Sequence, residues 1–351
     1  MRDVAVVSFV QAPSVRRDPA RNEVEILMPV VSAALEQSGI PLRDIGFTVS
    51  GSCDYLAGQP FAFVMGLDAI GAWPPIEESH VEMDGAWALY EAWIRLQEGD
   101  IDSALIYCFG KSSMGELPEV MSMQLDPYYL TPLWPDAISM AALQARAMLD
   151  FGSHDEREMA SVAARSRRDA ASNPNAHLSG DFDVDVLLKE PYLVSPLRKH
   201  DCPPISDGAA AIVLVAGDKA REICERPAWI RGIDHRVEAH QLGSRDLTVS
   251  SSTALAAEQA GGRGGAFDVV ELHAPFTHQE LILLDALSLS NGARVNPSGG
   301  ALGANPMMAA GLIRIGEAAQ RIMDGSAARA LAHATSGPCL QQNLVCVLEG
   351  E

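Results

Sequence analysis

The densest cluster of cations in this sequence is Arg165, Arg167, Arg168, Arg198 and Lys199. Guanidinium groups hold phosphate oxygens through paired, charge-assisted hydrogen bonds, so the cluster suits a phosphorylated ligand. The same spacing also suits a solvated helix face laced with i,i+4 ion pairs. The background is acidic: 46 Asp and Glu against 26 Lys and Arg leave a formal net charge of −20. Such a chain repels polyphosphates, which argues against nucleic acid as a partner; an acidic ligand needs a local basic patch. Six cysteines stand at 53, 108, 202, 224, 339 and 346, and no two form a C-x-x-C pair, so no structural metal site is expected. Several lie in apolar runs such as Ile106-Tyr107-Cys108 and Val345-Cys346-Val347, as buried reduced thiols do. Reduced thiols fit a cytoplasmic location. The N-terminal run Val4-Ala5-Val6-Val7 reads as a strand with no signal-peptide cleavage pattern. No apolar run approaches the roughly 20 residues of a membrane span. No Walker-type or G-x-G-x-x-G loop joins a strand to a helix, so no nucleotide cofactor is implied.

The elements that must position such residues repeat along the chain. Val31–Gly39 is a helix with a glycine stop, followed by a strand over Asp44–Ser50. Ala254–Gly261 and Asp268–His273 repeat that order. Gly85–Gln97 carries Ala88, Leu89, Ala92, Trp93 and Leu96 at helical spacing, stops at Gly99 and leads to a strand over Ser103–Tyr107. Gly311–Met323, Gly325 and Ala328–Ala332 repeat that too. A glycine opens the helix in both places and allows close approach. The first strands of the two halves are Val4–Val10 and Ala228–Ile233. Strands alternating with helices predict an α/β protein of two similar βαβα halves. The first half spans 1–218 with an inserted cap over about 110–200, and the second spans 225–351. The cap is helical over Ile138–Phe151 and Glu156–Ala171, and its Met121–Trp134 stretch is apolar and adaptable.

The run Pro203-Pro204-Ile205-Ser206-Asp207-Gly208-Ala209-Ala210-Ala211 opens a turn and becomes an apolar strand. It resembles the Ser-Asp-Gly-Ala-Ala-Ala strand of thiolases, most closely the sterol-carrier and lipid-transfer branch. Arg167-Arg168-Asp169-Ala170 through Asn173-Pro174-Asn175-Ala176 resembles the family's Arg-Arg-x-Ala-x-x-Asn-Pro-x-Ala signature, and Ser195-Pro196-Leu197-Arg198 through Asp201-Cys202 completes it. The resemblance covers nearly the whole chain and implies the thiolase fold: five layers, αβαβα, with an inserted cap. It implies a CoA thioester as substrate, with no further cofactor and no metal. Arg165, Arg168 and Arg198 are then candidates for the CoA phosphates, and Ser298, Gly299 and Gly300 of the retained Asn296–Gly300 loop are candidate substrate contacts.

The same resemblance shows departures. Where the family places its nucleophilic cysteine at a helix start, Glu82-Met83-Asp84-Gly85 stands, with Glu82 at the cysteine's position. Glu82 is read either as a base or as a helix cap or ion-pair partner. The oxyanion-hole motif matches His273-Ala274-Pro275-Phe276, which gives His273 a thioester oxygen to hold. Asn305 replaces the family's catalytic histidine; it can donate a hydrogen bond but cannot shuttle protons. Ala334 or Thr335 stands where a second cysteine is usual, with Cys339 a few residues on. Thiolysis and Claisen condensation, which need the nucleophile and its bases, are therefore excluded. Two readings follow. One is retro-aldol cleavage of a β-hydroxyacyl-CoA, as in cysteine-free aldolases acting on steroid side chains with a small zinc-ribbon/OB-fold partner. The other is a non-catalytic subunit paired with a catalytic paralogue in a homo- or heterodimer-forming fold.

Overall fold

A computed structural model describes residues 2–290 and 292–351. The first half runs β1 (Val4–Gln11), α1 (Glu23–Ser38), β2 (Phe47–Gly51), α2 (Asp54–Ala57), α3 (Phe63–Ile70), β3 (Glu78–Val81), α4 (Gly85–Glu98) and β4 (Ser103–Gly110). The insert follows, with α5 (Leu117–Met123), α6 (Ala137–Phe151), α7 (Glu156–Ala170), α8 (Val184–Leu187) and a ribbon of β5 (Tyr192–Val194) and β6 (Leu197–Arg198). Next come β7 (Gly208–Ala216) and α9 (Asp218–Ile223). The second half is β8 (Ala228–Val237), α10 (Ser251–Gln259), β9 (Val269–Leu272), α11 (Thr277–Leu287), β10 (Arg294–Val295), α12 (Gly300–Gly303), α13 (Ala310–Met323), β11 (Arg329–Ser336) and β12 (Gln342–Glu349).

The repeat read from the sequence is a repeat of topology. One sheet unit has the order β1-β7-β4-β2-β3 and the other β8-β12-β11-β9-β10, element for element the same. In each, the first two pairings are antiparallel and the last two parallel. The units meet where β1 pairs with β8 through Ala5↔Trp229 and Val6↔Ala228, so hydrogen bonding runs through ten strands. The insert occupies the link between β4 and β7, whereas β11 and β12 are joined by residues 337–341 alone.

Strands buried on both faces sort their side chains by parity. In β4, Ala104, Ile106 and Cys108 face the central layer, and Leu105, Tyr107 and Phe109 face outward. In β12, Leu344, Cys346 and Leu348 face the centre, and Val345 and Val347 face outward. The centre is filled by α4 and α13. The outer face of the first unit is covered by α1 and α3, and that of the second by α10 and α11 with α6 and α7 of the insert. This gives the five expected layers. One helix is longer than its apolar run predicts. α1 begins at Glu23 rather than near Val31, because Asn22 and Glu25 close a capping box and Pro29 is accommodated inside.

The central layer leaves no room at Gly316 of α13, where a Cβ would lie 2.1 Å from the Phe9 ring of β1. In a free helix Gly→Ala stabilises by about 1 kcal/mol, but overpacking costs about 1–3 kcal/mol. Gly316→Ala is therefore expected to lower stability, read as a fall in the urea unfolding midpoint.

Candidate active site between the two central helices

His273 follows β9, where its backbone N–H donates to His333 O at 3.1 Å and fixes the strand end against β11. Its Nε2 lies 3.0 Å from Asn305 Oδ1, in the loop between α12 and α13. A carbonyl oxygen only accepts, so with the amide in this orientation Nε2 carries the proton and Nδ1 is left as an acceptor. Nδ1 accordingly faces the Thr335 N–H at 3.4 Å. His273 and Asn305 are each 8% exposed. Burial lowers the His273 pKa, against the opposing pull of the nearby Asp84 charge, so the ring is held neutral. Asn305 donates its backbone N–H to Ser206 Oγ at 2.9 Å, and Ser206 Oγ is 2.8 Å from His177 Nε2 of the insert. Among the described residues Asn305 Nδ2 has no acceptor. The pair therefore presents one unengaged donor group, the Asn305 amide, oriented by a neutral histidine.

Asp84 lies beside this pair and is 1% exposed. As N-cap of α4 its Oδ1 accepts from Ala86 N at 2.9 Å. The same carboxylate reaches the start of α13, with Gly311 N at 2.8 Å on Oδ2 and Leu312 N at 3.0 Å on Oδ1. The sequence reading missed Asp84; an Asp directly before a helix is a cap signal, but its second helix is 227 residues away. Ser206 and Thr335 stood in family-like motifs, Thr335 where a second cysteine is usual, but neither they nor His177 are among the candidate site residues, because the contacts that join them to the pair cross between distant segments.

Glu82 is placed differently. Its Oε1 accepts from Asp54 N at 2.7 Å at the start of α2, and its Oε2 is 3.2 Å from His80 Nε2. His80 Nδ1 meets Ser50 Oγ at 3.0 Å, and its ring stacks on Phe63. The Glu82 side chain is 48% exposed. Among the described residues no hydrogen bond or ion pair joins Glu82 to His273 or Asn305. The apolar insert stretch comes close to it, because Gln124 Nε2 lies 3.0 Å from Cys53 Sγ, and Cys53 feels the Glu82 charge. In that stretch Tyr128, Tyr129, Leu133 and Trp134 are exposed.

The basic cluster is largely engaged within the protein. Arg165 pairs with Glu280, and buried Arg167 donates to Leu302 O at 3.1 Å. Arg198 holds Glu156 at 2.6 Å and Glu190 O at 3.0 Å, and lies over the Tyr192 ring. Among the described residues the Arg168 side chain meets only its neighbour Asp169, at 3.2 Å, and stays exposed, as does Lys199. The Asn296–Gly300 loop is braced from beneath. Buried Glu271 takes Ser298 N at 3.0 Å, Ser298 Oγ at 2.6 Å and Arg314 Nη1 at 2.9 Å, while Ser166 of α7 bonds Gly299 O. Gly300 N turns back onto Ser298 Oγ at 3.2 Å. Cys339 packs under α6 with Sγ 3.4 Å from Met140 O, and burial raises its pKa to about 11. Among the described residues no group of three His, Cys, Asp or Glu side chains is placed to hold a metal ion, and no helix is long and apolar enough to cross a membrane.

No family model matches the chain. Its homologues are thiolases, sterol carrier protein 2, lipid-transfer-like proteins and steroid side-chain aldolases. It is 29% identical over 220 residues to an acetyl-CoA acetyltransferase of Methanothermobacter thermautotrophicus, covering 54% of this chain and 57% of that one. It is 24% identical over 246 residues to a steroid side-chain-cleaving aldolase of Thermomonospora curvata, covering 65% and 61%. Both matches span less than two thirds of the relative. Among solved structures, a chain of an Ltp2-ChsH2(DUF35) aldolase superposes with a TM-score of 0.79 at 20% identity, over 99% of this chain and 97% of that one. The fold is the thiolase fold.

Helix α11 and strand β11, which carry His278 and His333, bring a pH liability. His278 and His333 are fully buried, and burial lowers each pKa from about 6.5 to about 3. Between those values the unfolded chain binds a proton that the folded chain refuses, so stability falls as pH drops below about 6.5. The slope is up to about 1.4 kcal/mol per pH unit for each histidine. From pH 7.0 to 5.5 the urea-derived stability is expected to fall by about 2–3 kcal/mol from this pair. Combining His278→Gln with His333→Gln should flatten that fall.

Proposed function

We propose that this chain acts on acyl-CoA thioesters and cleaves the Cα–Cβ bond of a β-hydroxyacyl-CoA by a retro-aldol reaction, without forming an acyl enzyme. The observation that carries the proposal is the buried His273–Asn305 pair with its unengaged amide donor. In the proposed reaction a base takes the β-hydroxyl proton, and the O–H electron pair forms the carbonyl of an aldehyde or ketone. The Cα–Cβ electron pair moves into the thioester as an enolate, which is protonated at Cα to give the shortened acyl-CoA. Charge develops on the thioester oxygen, and a preorganised donor in a dry site stabilises it best there. Asn305 Nδ2 is that donor in this reading. His273, neutral and held by Thr335 N–H, fixes the amide's orientation and supplies the second wall of the hole.

Glu82 is the proposed base. Each carboxylate oxygen has a second lone pair beyond its bond to Asp54 N or His80 Nε2, and His80 offers a route for the proton toward Ser50. Arg168 and Lys199, the cations of the cluster left at the surface, are proposed to meet the CoA phosphates. Arg165, Arg198 and Ser298–Gly300 then shape the wall behind them. The exposed aromatic and aliphatic side chains of residues 121–134 suit a bulky, steroid-like acyl group, the substrate class in the names of two relatives. In this reading the chain works as an oligomer with a second thiolase-fold chain or with a small zinc-ribbon/OB-fold partner. A second reading, a non-catalytic subunit, draws on one observation: both Glu82 oxygens are engaged away from His273.

The test uses the assembled protein and a steroid-type β-hydroxyacyl-CoA. Asn305→Ala is expected to lower turnover on the order of 100-fold, as loss of an oxyanion donor does, and His273→Ala to lower turnover too, by releasing the amide's orientation. Survival of activity in both variants, with a paralogue's own site essential, would establish the subunit reading instead. Intact mass after incubation with acyl-CoA is expected to show no stoichiometric adduct. Cys108, Cys202, Cys339 and Cys346 are buried with pKa values raised by burial, which disfavours the thiolate.

A further inference from the structure

We infer that the Asp84 carboxylate is a built-in anion, filling the point where the N-termini of α4 and α13 converge and reserving it against any thiolate or substrate anion. Each helix has 14 residues, long enough for a full terminal field. A helix start carries unpaired N–H groups and about half a unit of positive charge, and so attracts anions. Here two starts, one from each half, point at the same place. Asp84 takes three of their donors, Ala86 N, Gly311 N and Leu312 N, between 2.8 and 3.0 Å. A fourth, Gly85 N, goes to Met308 O at 2.9 Å.

The fit is close. A Cβ at Gly311 would lie 2.5 Å from Asp84 Oδ1, and one at Gly85 would lie 2.8 Å from Cys108 Cβ. The carboxylate is therefore sealed between elements that admit no side chain there. A serine hydroxyl at position 84 carries no charge and accepts at most two hydrogen bonds, so it would leave at least one of the three helix-start donors without an acceptor. Asp84 is thus a positioning and specificity-determining residue. It locks the two central helices together and keeps their shared starts filled by the protein's own carboxylate. The inference concerns where the protein accepts charge and does not depend on the retro-aldol reading.

The full chain tests it without any turnover assay. A thiol is introduced with Glu82→Cys, alone and together with Asp84→Ser, and its alkylation by iodoacetamide is followed against pH by peptide mass spectrometry. The readout separates residue 82 from the partly exposed Cys53 and Cys224. With Asp84 present the new thiol is expected to titrate at or above the ordinary value of about 8.5. Without it, alkylation at pH 7 should rise about tenfold or more as the helix starts lower the thiol pKa. A thiol that is already strongly acidic in Glu82→Cys alone, or no difference between the two variants, would overturn the inference. Where Asp84→Ser does not fold, Asp84→Gly is melted in sodium acetate and in sodium chloride at matched ionic strength. Acetate is expected to raise the melting temperature of Asp84→Gly and not of the unsubstituted chain; equal effects of the two salts would overturn the inference.

Discussion

Two helices buried in the middle of a layered protein cannot rely on water at their N-termini. Each leaves backbone N–H groups without an intrahelical partner, and in a dry layer each such group must find an acceptor. α4 and α13 meet this requirement together, through the one carboxylate of Asp84. Because the acceptor is shared, the helices cannot move independently, and the halves that own them are held in a common frame. The sheets follow from that frame. α13 packs on β11 and β9 of its own half and on β1 of the other, with Gly316 against the Phe9 ring.

The second constraint is ionic. Glu271 is completely buried, and burial raises its pKa against the opposing Arg314 charge. A buried carboxylate is tolerable only when its lone pairs are filled, and here Ser298, the Ser298 backbone and Arg314 fill them. The result is a rigid floor under the Asn296–Gly300 loop and the chain that continues to Asn305. α7 of the insert fastens the same loop from above through Ser166. His177 reaches Ser206, and Ser206 holds Asn305. The insert is therefore linked to the donor pair through the Ser206 hydroxyl.

These two constraints leave little freedom at His273. Its ring is neutral because it is buried, its tautomer is set by Asn305, and its second nitrogen is met by Thr335. A histidine so engaged is suited to holding a neighbour rather than carrying protons. Asn305, unable to titrate, is suited to giving a hydrogen bond without giving up a proton.

Much of this protein was legible in its residues. Continuous apolar runs such as Ala209–Val215 and helices with glycine stops at Gly39 and Gly99 announced strands alternating with helices, because those patterns are local consequences of backbone geometry. The duplication was visible because each half must bury the same faces, and His273 and Asn305 stood out by their motif context. What the sequence could not decide was which side chains meet. The basic cluster read as a ligand clamp, yet Arg165 and Arg198 pair with Glu280 and Glu156, partners 115 and 42 residues away. Glu82, singled out by position, turns toward His80 and α2, whereas the unremarked Asp84 two residues on joins its own helix to Gly311 of α13, 227 positions away. Local pattern determines which elements form and which faces are apolar. Only the packed tertiary structure decides which charges share a buried space, because that depends on distances between segments that no spacing along the chain records.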